Sequence, residues 1–193
     1  MTPWEYEGPI RTDRLVLRLM VDDDLDDVLD WMSDEAVTRY QLYDVRSRDQ
    51  VRTHIDKVKD ARRLENDDDF VELGIVLPAH DGDRDRVIGC IYFPLKSVEN
   101  STAEIGWALT AKYQGRGYAF EAARAVMAIA FDVMGLHRLT AELDPRNSAS
   151  VTLCGRLGMR LEAHHVEDLF FKGAWADTGV YAILDREWRA LPR

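Results

Sequence analysis

Cysteine is nearly absent from this chain. Only Cys90 and Cys154 occur among 193 residues, each set among apolar neighbours. Two such residues do not make a disulfide framework, and the expected compartment is the reducing cytoplasm. Long apolar runs are missing as well. No stretch approaches the roughly 18 residues that a membrane-crossing helix needs, so no membrane partner is expected. The start, MTPWEYEGPIRTDRL, has neither the basic lead nor the apolar run of a secretory signal. Basic residues are outnumbered, 25 Lys and Arg against 35 Asp and Glu, for a formal net charge of -10. Nucleic acid is therefore a poor partner. The acidic balance suits a cationic substrate, and it equally suits a solvated surface. No metal is expected either: the neighbours His164 and His165 would point to opposite faces of a strand, without a Cys or carboxylate at ligand spacing.

What is present is the composition of a folded protein, 46% hydrophobic and 31% charged, at a length that suits one domain. Leu15 to Leu19 reads as a first strand after a loose N-terminal arm. Asp22 to Trp31 reads as a short helix, with Leu25, Val28, Leu29 and Met32 at helical spacing. A second helix is expected from about Ser47 to Leu64. Phe70 to Leu77 and Val87 to Phe93 read as a hairpin across a turn at His80 to Arg86. Ser101 to Leu109 reads as a further strand. A helix from about Gly117 to Met134 follows, with Ala122, Val126, Ile129, Ala130 and Val133 as its apolar stripe and Gly135 as its cap. Then come a strand from Arg138 to Leu143, a short helix from Ser148 to Leu157, and strands near Met159 to Val166 and Gly179 to Asp185. This mixed order argues for one α/β domain around a central, partly antiparallel sheet.

The most specific stretch is Gln114-Gly-Arg-Gly-Tyr-Ala, between a strand and a helix. Helix N-termini carry unpaired N–H groups and about half a positive charge. Glycines there let an anion approach bare backbone, and Arg116 adds a formal charge. The loop alone is compatible with a phosphate cradle and with a plain turn. It is not a Walker loop, because no Gly-Lys-Ser/Thr closes it. It is not a dinucleotide fingerprint either, because Phe120 stands where the third glycine belongs.

Gln114-x-x-Gly117-x-Ala119 resembles the Q/R-x-x-G-x-G/A pyrophosphate loop of the GNAT N-acyltransferases. Ala103-Glu-Ile-Gly-Trp-Ala-Leu resembles the strand that precedes it, and Asn147 to Met159 resembles the N-x-x-S…LGF segment. Arg11 to Arg18, Trp31 to Tyr40 and Ala182 to Trp188 are similar to the RimJ/RimL-like branch. The resemblance covers about residues 11–188, which would form a single GNAT domain between terminal arms at 1–10 and 189–193.

The resemblance implies a central mixed, mostly antiparallel sheet flanked by helices, with a splayed strand pair at the acyl-CoA site. It implies acetyl-CoA as cosubstrate, its pyrophosphate on backbone N–H groups from Gln114 through Gly115, Arg116, Gly117 and Tyr118 to Ala119. The pantetheine arm would run along Trp107, Ala108 and Leu109, with Asn147 also touching CoA. The implied acceptor is a primary amine, either a protein N-terminus or a small amine such as an aminoglycoside or polyamine. A module that binds acyl-CoA without catalysis is the alternative, and a homodimer is common in the branch.

An ammonium must lose a proton before it attacks. Glu104 is the candidate base, because burial in an apolar strand would raise its pKa; it also reads as an outward-facing strand residue. Ser150 matches the position implied to donate to the departing thiolate, though it could simply face water. Asn147 and Ser148 also make good helix caps. Cys154 stands where many GNAT enzymes carry a tyrosine acid, and a small buried thiol is its expected role.

Overall fold

The computed structural model describes residues 1–79 and 84–192. Strands β1 (Trp4–Glu5), β2 (Ile10–Arg11) and β3 (Val16–Leu19) are followed by helices α1 (Leu25–Met32), α2 (Glu35–Thr38) and α3 (Arg48–Val58). Strands β4 (Arg63–Leu64), β5 (Phe70–Leu77), β6 (Arg86–Ser97), β7 (Thr102–Glu104) and β8 (Gly106–Leu109) come next. The chain closes with α4 (Tyr118–Ala128), β9 (Arg138–Leu143), α5 (Ser148–Arg156), β10 (Arg160–Phe171), β11 (Ala174–Leu184) and α6 (Asp185–Ala190).

The main sheet runs β10-β11-β9-β7-β6-β5-β3-β2, and β8 pairs β6 beyond the end of β7. Its pairings are antiparallel except β7 on β9. Both faces of the central strands are covered, which is why Phe70–Leu77 reads as an almost unbroken apolar run. Ala122, Ala123, Val126 and Met127 of α4 pack on one face, and Val28, Trp31, Val51 and Ile55 of α1 and α3 pack on the other. Each such fully buried Val or Ile contributes about 1.5–3 kcal/mol over leaving it exposed.

Several boundaries differ from expectation for physical reasons. The N-terminal stretch is not loose: Trp4 pairs with Leu64, and the Thr2 N–H donates to the Met134 carbonyl at 2.7 Å. That pairing also claims Leu64, so α3 stops at Val58 instead of running on. The stretch from Ser101 to Leu109 is two strands, broken at Ile105. Ile105 turns its N–H to the Thr140 carbonyl at 2.8 Å, after which the chain pairs only with β6. The long helix ends in a π turn over Ile129–Val133, closed by Met134 N–H on the Ile129 carbonyl. The extra residue rotates the stripe, so Val133 is 59% exposed while Phe131 and Met134 turn inward. The last two strands extend past the body of the sheet and meet at Lys172 and Gly173, both in the left-handed region. The turn expected at His80 to Arg86 lies largely outside the described residues.

Candidate active site

The unpaired edge of β8 organises the site. β7 pairs with β9 from Thr102 and Arg138 as far as Glu104 and Thr140, and β8 then follows β6 while β9 follows β11. Trp107, Ala108 and Leu109 therefore face a gap between two strands of one sheet. The Trp107 carbonyl in this gap accepts from Gln41 Nε2 at 3.3 Å, and the Leu109 carbonyl accepts from Gln114 Nε2 at 2.9 Å.

Past β8 the chain makes one short helical turn, Ala111–Tyr113, and enters the glycine loop. The Gln114 N–H is spent on the Ala111 carbonyl at 3.1 Å. Among the described residues, the N–H groups of 115 to 120 find no acceptor within the protein, so this is where an anion would be held. Gly117 caps α4 with φ of 82°, a conformation that a Cβ strains, and a Cβ there would also stand 3.4 Å from the Arg14 guanidinium. The loop thus has the makings of a phosphate seat: N–H groups without acceptors and a left-handed glycine at the helix start. Arg116 is exposed beside it.

The loop is anchored from the far end of the chain. Glu121 accepts from Thr12 Oγ1 at 2.6 Å, from the Arg14 N–H at 2.8 Å and from Arg14 Nε at 2.7 Å, and Arg14 Nη1 donates to the Arg116 carbonyl at 3.0 Å. The Arg14 guanidinium also covers the Tyr118 ring. Sequence reasoning did not select Thr12, Arg14 or Glu121. Only their position before β3 and inside the first turn of α4 could have hinted at it.

A cavity of about 580 Å³ follows the loop, lined by Gln114, Gly115, Gly117, Tyr118, Ala119 and Asn147 among others. It shares Trp107, Ala108, Asn147 and Ser150 with a second cavity of about 450 Å³ that contains Glu104. The candidate base, the candidate acid and the cradle thus meet along one continuous depression.

Asn147 caps α5, its side-chain oxygen accepting from the Ser150 N–H at 3.2 Å. Ser150 does not face bulk water alone: its Oγ accepts from Trp107 Nε1 at 3.2 Å, which leaves its own proton to give. Glu104 lies 3.3 Å from Lys96 Nζ. Burial pushes its pKa up, Lys96 pulls it down, Glu142 pushes again, and the net direction is upward. Cys154 is buried, with burial pushing its thiol up to about 12, far from a nucleophile at neutral pH. His54 Nε2 meets the buried Glu72 at 2.9 Å in the wall of the second cavity, a pair not selected from the sequence.

A family model described as "Acetyltransferase (GNAT) domain" matches residues 14–160. The chain belongs to the GNAT acetyltransferase family. The uncharacterized N-acetyltransferase YnaD of Bacillus subtilis is 33% identical over 179 residues, 93% of this chain and 98% of that protein. The [ribosomal protein uS5]-alanine N-acetyltransferase of Escherichia coli is 27% identical over 183 residues, 93% and 92% of the two chains. A GNAT-family acetyltransferase from Bacillus anthracis superposes with a TM-score of 0.80 at 30% identity, over 93% of this chain and 99% of that one. This GNAT protein is an acetyl-CoA-dependent N-acyltransferase with a single α/β domain. No helix among its described residues is long and apolar enough to cross a membrane.

Proposed function

We propose that the enzyme acetylates protein N-terminal amines by direct transfer from acetyl-CoA. One observation carries this reading. The cavity that holds Glu104 and Ser150 continues, through Tyr40, Leu42, Glu142 and Leu143, into an open groove of about 820 Å³. The groove lies between residues 35–45 and the β10–β11 hairpin. A cavity alone would suit a small amine; a cavity opening into a groove leaves room for the chain that follows a terminal amine. The uS5-alanine N-acetyltransferase likeness supports the same acceptor class.

In this reading Glu104 takes one proton from the ammonium, its carboxylate held ready by the partial burial that raises its pKa. The freed amine attacks the thioester carbonyl carbon. The C–N bond forms, the C–S bond breaks, and the nitrogen gives up its second proton to solvent. Ser150 donates its hydroxyl proton to the departing thiolate, with Trp107 holding the oxygen, and takes a replacement from solvent, to which Glu104 returns its own. The N–H groups from Gly115 onward seat the pyrophosphate, and the edge of Trp107 to Leu109, its outer carbonyls held by Gln41 and Gln114, receives the pantetheine arm on its N–H groups. A cytoplasmic homodimer akin to the RimJ/RimL-like branch completes the proposal, and the solution mass tests its oligomeric part.

A panel of N-terminal peptides, polyamines and amine antibiotics, read by CoA release, tests the acceptor. Turnover of peptides but not of small amines is the expected result. Turnover of small amines alone would move the enzyme to the small-molecule class, and CoA binding with no turnover of any amine would make it a binding module.

A further inference from the structure

The acceptor cavity is electrically two-ended. On the side of β7 and β9 it presents the carboxylates of Glu104 and Glu142. It also presents two cations, Lys57 over Phe70 of β5 and Arg46 beside Tyr43. Lys57 Nζ sits 5.6 Å from the centre of the Phe70 ring, and the Arg46 guanidinium sits 4.6 Å from that of Tyr43. Glu72 is matched within the wall by His54, and Glu104 also faces Lys96 from outside it.

Arg46 is the unusual member. It is half-buried, and among the described residues it has no carboxylate partner; its one side-chain contact of hydrogen-bond type is Nη1 to the Met32 sulfur at 3.9 Å. A thioether is a weak acceptor, so most of a five-donor guanidinium is left without one inside a cavity wall. A planar fork of this kind matches a carboxylate in two parallel hydrogen bonds. The Arg46 N–H is tied to the Met32 carbonyl at 2.8 Å, which holds the residue on the body of the protein.

We propose that Arg46, assisted by Lys57, binds a carboxylate carried by the acceptor, so that the preferred substrate has an anionic group beyond its amine. The proposal rests on the transferase reading above, but not on which amine carries the anion. Phe70, beneath Lys57, lies on β5, two strand spacings or about 10 Å from β7. That span fits an amine near Glu104 with a carboxylate on the side chain of the next residue of a peptide, or at the far end of a linear ω-amino acid. The source is the part the experiment separates.

Two matched pairs are used: short peptides beginning Ala-Glu and Ala-Gln, and ε-aminocaproate against hexylamine. For each pair kcat/KM is compared, and the dissociation constant is measured calorimetrically on the CoA-loaded enzyme. The anionic member is expected to be favoured by about tenfold or more, in KM and not in kcat. Arg46→Gln should bring that ratio below about twofold, while Arg46→Lys, which keeps the charge, should retain part of it. The wild-type preference should also shrink as salt rises, which needs no variant. An anionic preference confined to ε-aminocaproate would overturn the N-terminal reading and leave the carboxylate site standing. Equal handling of both members in both pairs, or an undiminished preference in Arg46→Gln, would overturn the carboxylate site itself.

Discussion

Trp107 and Ser150, forty-three residues apart, are joined by an indole N–H that donates to the serine hydroxyl at 3.2 Å. The bond ties the free edge of β8 to the first turn of α5, across the mouth where two cavities meet. It leaves the Ser150 proton as the only one the hydroxyl can give away. Ser150→Ala should lower kcat by roughly tenfold to a hundredfold, because water replaces a positioned donor. Trp107→Phe should produce a smaller loss of the same kind, since the hydroxyl stays but loses its orientation. Steady-state kinetics of both variants check this; a wild-type kcat in Ser150→Ala would remove the serine from the reaction.

Glu104 makes a prediction about pH. Its pKa is raised chiefly by burial, with Lys96 acting in the opposite sense. The base must be ionised to take a proton, so kcat/KM should climb with pH through the raised pKa and level off above it. Lys96→Met removes the neighbour that favours the charged form. The rising limb should then move to higher pH, with the plateau rate less changed. Glu104→Gln should abolish that limb and lower the plateau by about a hundredfold or more. An unmoved limb in the Lys96 variant would mean that another group is titrating.

The parts of this site that sequence reasoning located are those where chemistry is concentrated in a short stretch. Gly115 and Gly117 stand out because left-handed backbone before a helix has few substitutes. Glu104 stands out because a carboxylate interrupts an apolar strand. Asn147 and Ser150 come from one motif, which also contains the helix cap. The rest depends on distance along the chain. Glu121 meets Arg14 across 107 residues, and His54 meets Glu72 on a different element. Each member alone is an ordinary polar residue, and only the topology pairs them. The π turn at Ile129–Val133 was equally hidden, because its residues are good α-helix formers and the extra residue shows only in which side chains turn inward.

Gly117→Val tests the cradle directly. A valine would be strained at φ of 82°, and its Cβ would crowd the Arg14 guanidinium as well as the anion approach. The dissociation constant for CoA should rise at least about tenfold, a change of about 1.4 kcal/mol or more. Calorimetric titration with CoA and with dephospho fragments lacking the pyrophosphate separates the causes. The loss should be confined to ligands that carry the pyrophosphate; an equal loss for pantetheine alone would indicate a general disturbance of α4.

The Glu121 clamp connects binding to stability. Burial by itself would raise the Glu121 pKa, but hydrogen bonds from Thr12 and from the backbone and guanidinium of Arg14 outweigh it, and the net direction is downward. A carboxylate whose pKa is lower folded than unfolded stabilises the fold above its unfolded value, and the contribution disappears as pH falls through the folded one. The wild type should therefore lose part of its margin between about pH 4 and the lower folded pKa. Glu121→Gln should be less stable than wild type at neutral pH, and the difference should close on acidification across that window. Because Arg14 also holds the Arg116 carbonyl, the same variant should loosen the glycine loop and weaken CoA binding. Denaturant unfolding at neutral and acid pH, paired with CoA titration, checks both halves. A stability gap that stays constant down to acid pH would mean that the lost interaction is packing and not charge.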